Sequence, residues 1–194
     1  MPRINTATLS EHRDWRRNQL IAAASAIALE QGGQAITVAA VAERAGLSRT
    51  SVYEYFGSSA ELVADLVIDE LTVFAQSLQG AVALTSDPYD AIDAWIDAAL
   101  RYIADGRHLL AKALSATSMP KDRAADIGAA HRLLLAPMHQ ALTEIGISDI
   151  SQALTFIQGV TDASTKRIES GNDAELESIS ATNFCLAGIR ALVP

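Results

Sequence analysis

At 194 residues the chain is long enough to bury a sizeable core, as one domain or as a small domain beside a larger one. Apolar residues make up 49% of it but aromatics only 5%, the balance of Ala-, Leu- and Ile-rich helical packing. The net charge of −8 argues against a uniformly basic nucleic-acid binder, yet it is uneven: residues 1–60 hold six Arg against five acidic groups, net +1, and residues 61–194 are net −9.

Residues 1–10 are polar and aperiodic, and read as a mobile arm. A helix follows from near Glu11 to about Gln31, with Trp15, Leu20, Ala23, Ala24, Ile27 and Ala28 inward and Gly32-Gly33 ending it. Arg16 and Arg17 stand at its N-terminal end, either as phosphate ligands or as a solvated basic turn. Residues 37–56, TVAAVAERAGLSRTSVYEYF, read as two short helices joined by a tight turn, the layout of a helix-turn-helix. Val38, Val41, Ala42 and Ala45 recur at helical spacing, and Gly46 sits where the chain reverses and φ > 0 is easiest to place. Ser48 is a good N-cap for the second helix, with Val52 and Phe56 on its inward face. Its outer face is left with Arg49, Thr50, Ser51, Tyr53 and Tyr55, the donors and hydroxyls that bond base edges and phosphates. An ordinary helical hairpin would explain the apolar spacing but not this outer face.

Ser58-x-x-Glu61 is a capping box that opens a connecting helix running to about Gln79. Asp87-Pro88 starts a helix with Ile92, Ile96, Ala99 and Ile103 on one side and Asp90, Asp93, Asp97 and Arg101 on the other. A short helix from about Arg107 to Ala116 comes next, then a longer one from near Lys121 to Ile145, which Pro137 should kink. Asp149-x-x-Gln152 starts the next helix, ending near Gly171, and Asn172-x-x-Glu175 caps a last one to about Val193. No alternating β-branched run bounded by hairpin turns occurs, so the fold class is all-α.

Chemistry-bearing constellations are scarce. His131 and His139 are eight apart on one helix, but no Glu-x-x-His or His-x-x-x-His accompanies them, so no metal site is expected. No nucleophile elbow, phosphate-cradling Gly-rich loop or Cys-x-x-Cys is present, and the body carboxylates fit a solvated face: no enzyme and no cofactor are expected. Cys185 is the single cysteine, which excludes an intrachain disulfide and suits a buried, inert thiol. The first twenty residues lack an apolar signal region, and no run approaches the roughly 18 apolar residues of a membrane span, so the expected location is cytoplasmic.

The segment IAAASAIALEQGGQAITVAAVAERAGLSRTSVYEYFGSSAELV, within residues 13–65, resembles the N-terminal domain of the TetR family of transcriptional repressors. An apolar helix ending in Gly-Gly, then Thr-Val, VAERAGLS, Tyr-x-Tyr-Phe and Ser-x-x-Glu-Leu carry the resemblance. One departure is Ser59, where such proteins often place a phosphate-binding Lys; a hydroxyl at a helix N-terminus still binds phosphate.

The resemblance implies a helix-turn-helix DNA-binding domain over residues 1–60 and a helical effector-binding and dimerisation domain over 61–194. Arg49 is then the candidate for base readout and Thr50 for a thymine methyl or base edge, while Thr37, Ser48, Ser51, Tyr53, Tyr55, Ser59, Arg16 and Arg17 are candidates for backbone contacts. In the body, Trp95, Tyr102, His131, Met138 and Phe156 are the larger side chains that could border an effector pocket opened by Pro137, or else fill the core. The last helix is apolar nearly all round from Ala181 and needs cover on every side. A second copy would supply that cover through Ile157, Val160, Ser164, Phe184 and Ile189. The reading is a homodimeric repressor on a palindromic double-stranded DNA operator, released by a small, mostly apolar effector. The alternative is a small-molecule- or partner-binding helical protein whose helix-turn-helix no longer binds DNA.

Overall fold

The computed structural model describes residues 9–114 and 120–193. Among these residues the secondary structure is helical, with no strand, as the sequence leads one to expect. The helices are α1 (Leu9–Gln31), α2 (Val38–Ala45), α3 (Arg49–Tyr53), α4 (Ser59–Val82), α5 (Pro88–Ala104), α6 (Leu109–Leu114), α7 (Ala124–Ile145), α8 (Ile150–Glu169) and α9 (Ala174–Leu192). Of the arm expected over residues 1–10, residues 1–8 lie outside the described residues, while Leu9 and Ser10 open α1. The expected end of α6 at Ala116 also falls outside them.

Local chemistry sets most boundaries. Thr37, Ser48, Asp87 and Asp149 cap their helices by accepting from backbone N–H groups two or three residues on. At α4 the first half of the capping box is formed, with Glu61 N–H donating to Ser58 Oγ at 3.1 Å. The Glu61 carboxylate reaches one residue further back and accepts from Gly57 N–H at 2.9 Å. At α9 the cap is Asp173, one residue after the expected Asn172. Asp173 accepts from Leu176 N–H, while the Asn172 amide donates to the Arg167 carbonyl and closes the end of α8. Lys121–Arg123 is a 3₁₀ turn, so the helix expected from Lys121 begins at Ala124.

The described residues form two compact units. One takes those of Met1–Glu70 and Leu110–Ile127; the other takes Leu71–Leu109 and Gly128–Pro194. The first unit's core holds Leu20, Ala24 and Ile27 of α1, Val41 and Ala42 of α2, Val52, Phe56, and Leu62 and Leu66 of α4. Leu110 and Leu114 of α6 are buried in that same core. The boundary read from sequence at residue 60 therefore misses this second contribution, because distant packing, not local pattern, places it there. The second unit's core stacks Leu78, Ile92, Trp95, Ile96, Leu100, Leu134, Met138, Leu142, Ile157, Cys185 and Ile189.

Candidate nucleic-acid interface

The turn between α2 and α3 is built by Gly46, at φ +67°, and by Leu47 N–H returning to the Ala42 carbonyl at 2.9 Å. A Cβ on Gly46 would meet nothing within 4 Å, so the backbone conformation demands glycine there, not crowding. Val52, fully buried, anchors α3 against Val41 and Phe56. With that face fixed, Arg49, Thr50 and Tyr53 point outward and are exposed, Tyr53 at 56%. Arg49 has no ion-pair partner among the described residues, so its five donors stay available.

The other candidates divide. Ser48 Oγ accepts from Ser51 N–H and lies 3.0 Å from Ser51 Oγ, so both hydroxyls shape the start of α3. Thr37 Oγ1 accepts from Ala40 N–H at 3.1 Å, and its own O–H remains free to donate to an outside oxygen. Tyr55 is half-buried against the core, and Ser59 stands half-buried as the first residue of α4. Arg16 lies over the Trp15 ring, 5.4 Å from its centre. Arg17 is committed elsewhere: it donates to Asp65 at 2.7 Å and lies 5.9 Å from the centre of the Phe56 ring. Sequence reasoning offered no sign of this partner, which lies 48 residues away on α4. Asp69, beside the pair, is held above the usual carboxylate range by burial, against the pull of Arg17 and with the push of Asp65.

The body candidates do not share one wall. Trp95, Tyr102 and Met138 are buried, whereas His131 and Phe156 are exposed. His131 adjoins the buried Ala130 on α7 and Phe156 adjoins the buried Ile157 on α8, each about 100° round its helix from the inward stripe. Tyr102 packs its ring 4.4 Å from Phe74, with the Arg107 guanidinium 4.2 Å from the ring centre. Phe156, Ile157, Val160, Ser164, Phe184 and Ile189 do come together, around an apolar groove of about 700 Å³ between α8 and α9. Gly159 and Gly188 in the same groove face open space. No helix is long and apolar enough to cross a membrane, and no group of three or more metal-ligating side chains forms, in both cases among the described residues.

Comparison with known proteins agrees with this geometry. Residues 20–66 match the family model described as bacterial regulatory proteins, tetR family. The HTH-type transcriptional activator FasR of Mycolicibacterium smegmatis is 30% identical over 91 residues, which is 47% of this chain and 42% of that protein. The chain thus matches less than half the length of that relative. The fatty acid degradation regulator FadR of Bacillus halodurans shares the fold at TM-score 0.71 and 18% identity, over 90% of this chain and 96% of that one. FadR of Bacillus subtilis, solved with stearoyl-CoA, does so at TM-score 0.73 and 18% identity, over 88% and 98%. Over residues 20–66 the chain thus matches the TetR family of bacterial regulatory proteins, and it shares the all-helical fold of these solved regulators.

Proposed function

We propose that this protein is a sequence-specific repressor that binds a palindromic operator as a homodimer. The observation that carries the reading is the outer face of α3, where Arg49, Thr50 and Tyr53 stand exposed over a buried Val52 and behind a capped N-terminus. A helix held this way presents its N-terminal residues to a major groove, and bidentate Arg to guanine is the commonest specific contact. Arg49 therefore reads a base, Thr50 a base edge or thymine methyl, and Tyr53, Thr37 and Ser59 hold the backbone. Ser48 and Ser51 act mainly by fixing α3.

The dimer forms across the α8–α9 groove. Phe156 and Phe184, 58% and 70% exposed, are the large apolar side chains that a second copy would cover. The effector is a small, mostly apolar molecule taken up by the body, whose large interior side chains are Trp95, Tyr102 and Met138. The Bacillus subtilis protein of the same fold was solved with stearoyl-CoA, whose acyl chain is apolar and whose CoA head is polar and charged, so only the acyl part speaks for an apolar interior. Release then requires an effector with unequal affinity for the DNA-binding and non-binding states.

A gel shift with the DNA upstream of the protein's own gene tests the reading. A discrete shifted band that competitor of unrelated sequence does not remove is the expected result. No shift on that DNA or on any neighbouring promoter would favour the alternative of a helix-turn-helix that no longer binds DNA.

A further inference from the structure

The ion pairs on Asp65 tie together three segments that lie far apart in the chain. Asp65 stands in the second turn of α4 with its side chain 15% exposed. Its Oδ2 accepts from Arg17 of α1 at 2.7 Å, and its Oδ1 accepts from Arg123 at 2.5 Å. Arg123 ends the 3₁₀ turn, 58 residues beyond Asp65, and also donates to Asp126 at 3.0 Å. A carboxylate this buried is costly unless its charge is answered, and here each oxygen has its own guanidinium. The same stretch of chain sends Leu110 and Leu114 into the core beside Val41, Val52 and Phe56. The described residues among 110–127 are thus built into the helix-turn-helix unit, although the sequence separates them from it by the whole of α5.

We propose that Arg123 is a positioning residue for DNA recognition. It holds Asp65, Asp65 holds Arg17, and Arg17 backs Phe56, the residue that closes the motif. Arg123 acts through that chain of contacts and not on DNA itself. Without it, Asp65 keeps Arg17 as its one partner, the turn at 121–123 loses its tie to α4, and the Arg17–Asp65 pair behind Phe56 is less firmly held. The proposal rests on the DNA-binding reading above and deepens it, because it adds a segment outside the N-terminal motif to the recognition machinery.

The experiment uses the full chain. Wild-type protein enriches a duplex from a random-sequence pool, and binding to that duplex and to an unrelated one is then followed over a salt series. Arg123→Gln should bind the enriched duplex about tenfold more weakly. Binding to the unrelated duplex and the salt slope should stay unchanged, since no phosphate contact is lost. Arg123→Lys, which keeps the charge, should recover part of the loss, and Asp65→Asn should match or exceed Arg123→Gln. Equal affinity of Arg123→Gln and wild type for the enriched duplex would overturn the proposal alone. So would a matching loss on both duplexes with a slope lower by about one, which would make Arg123 a phosphate ligand. If Arg123→Gln fails to fold, Arg123→Lys carries the test: a loss confined to the enriched duplex supports the proposal and unchanged binding overturns it. A wild-type protein that enriches no sequence would overturn the DNA-binding reading and this proposal with it.

Discussion

The Trp95 indole N–H donates to the Leu134 carbonyl at 2.9 Å, 39 residues along the chain and inside the second unit's core. Leu134 lies one residue after Leu133, whose carbonyl cannot take its usual helical donor because residue 137 is proline. The two features that the sequence suggested as pocket makers, the aromatic and the proline, are therefore placed around the same turn of α7. In this conformation Trp95 serves to join α5 to that turn, and its ring fills the core.

Trp95→Phe removes the donor and leaves the Leu134 carbonyl buried without it. The carbonyl keeps its helical donor, so the expected cost of the lost bond is about 0.5–1.5 kcal/mol of folding stability, read from chemical denaturation. If an apolar effector that releases DNA enters near α7, Trp95 fluorescence shifts on its addition. Wild-type stability in the variant, with no change of fluorescence on release, would remove Trp95 from both roles.

Phe184→Glu should give a folded monomer. The side chain is 70% exposed in the single chain, so the protomer's own core does not depend on it. A charge there would be buried without a partner in the α8–α9 groove of a dimer. Sedimentation at micromolar concentration should show wild-type dimer and variant monomer. A wild-type monomer would defeat the assembly, and a dimeric variant would move the interface elsewhere.

Cys185 is 4% exposed, and burial pushes its thiol up from the ordinary 9.0 to about 11. The thiolate is the reactive form, so a thiol reagent at pH 8 should label the native protein slowly and the unfolded protein at once. The folded state holds the proton more tightly than the unfolded one. Its stabilising contribution is therefore intact below about pH 9 and is lost as pH rises through about 11. Fast native labelling at pH 8 would contradict the burial.

The legible parts of this chain were those set within a few residues. The helix-turn-helix followed from one apolar period, a glycine at positive φ and two caps, none of which needs a distant partner. The role of Arg17 was hidden because its partner Asp65 is on another helix, and nothing local separates a phosphate ligand from an ion-paired arginine. His131 and Phe156 are grouped with Trp95 by size, as side chains that could border a gap opened by Pro137. Each stands one position from a buried residue, however, and a single step round a helix turns a side chain from core to solvent. The membership of the described residues among 110–127 in the first unit is a matter of topology, for which the sequence carries no local signal.

The central claim is that the outer face of α3 reads DNA sequence, and selection from a random duplex pool with wild type, Arg49→Ala and Tyr53→Phe in parallel tests it most directly. Wild type should enrich a two-fold-symmetric sequence with half-sites about one helical turn apart. Arg49→Ala should lose roughly 1–3 kcal/mol on that sequence and relax its preference at one position in each half-site. Tyr53→Phe should weaken binding to all sequences more evenly. Enrichment by Arg49→Ala of the wild-type sequence with undiminished preference would contradict the account.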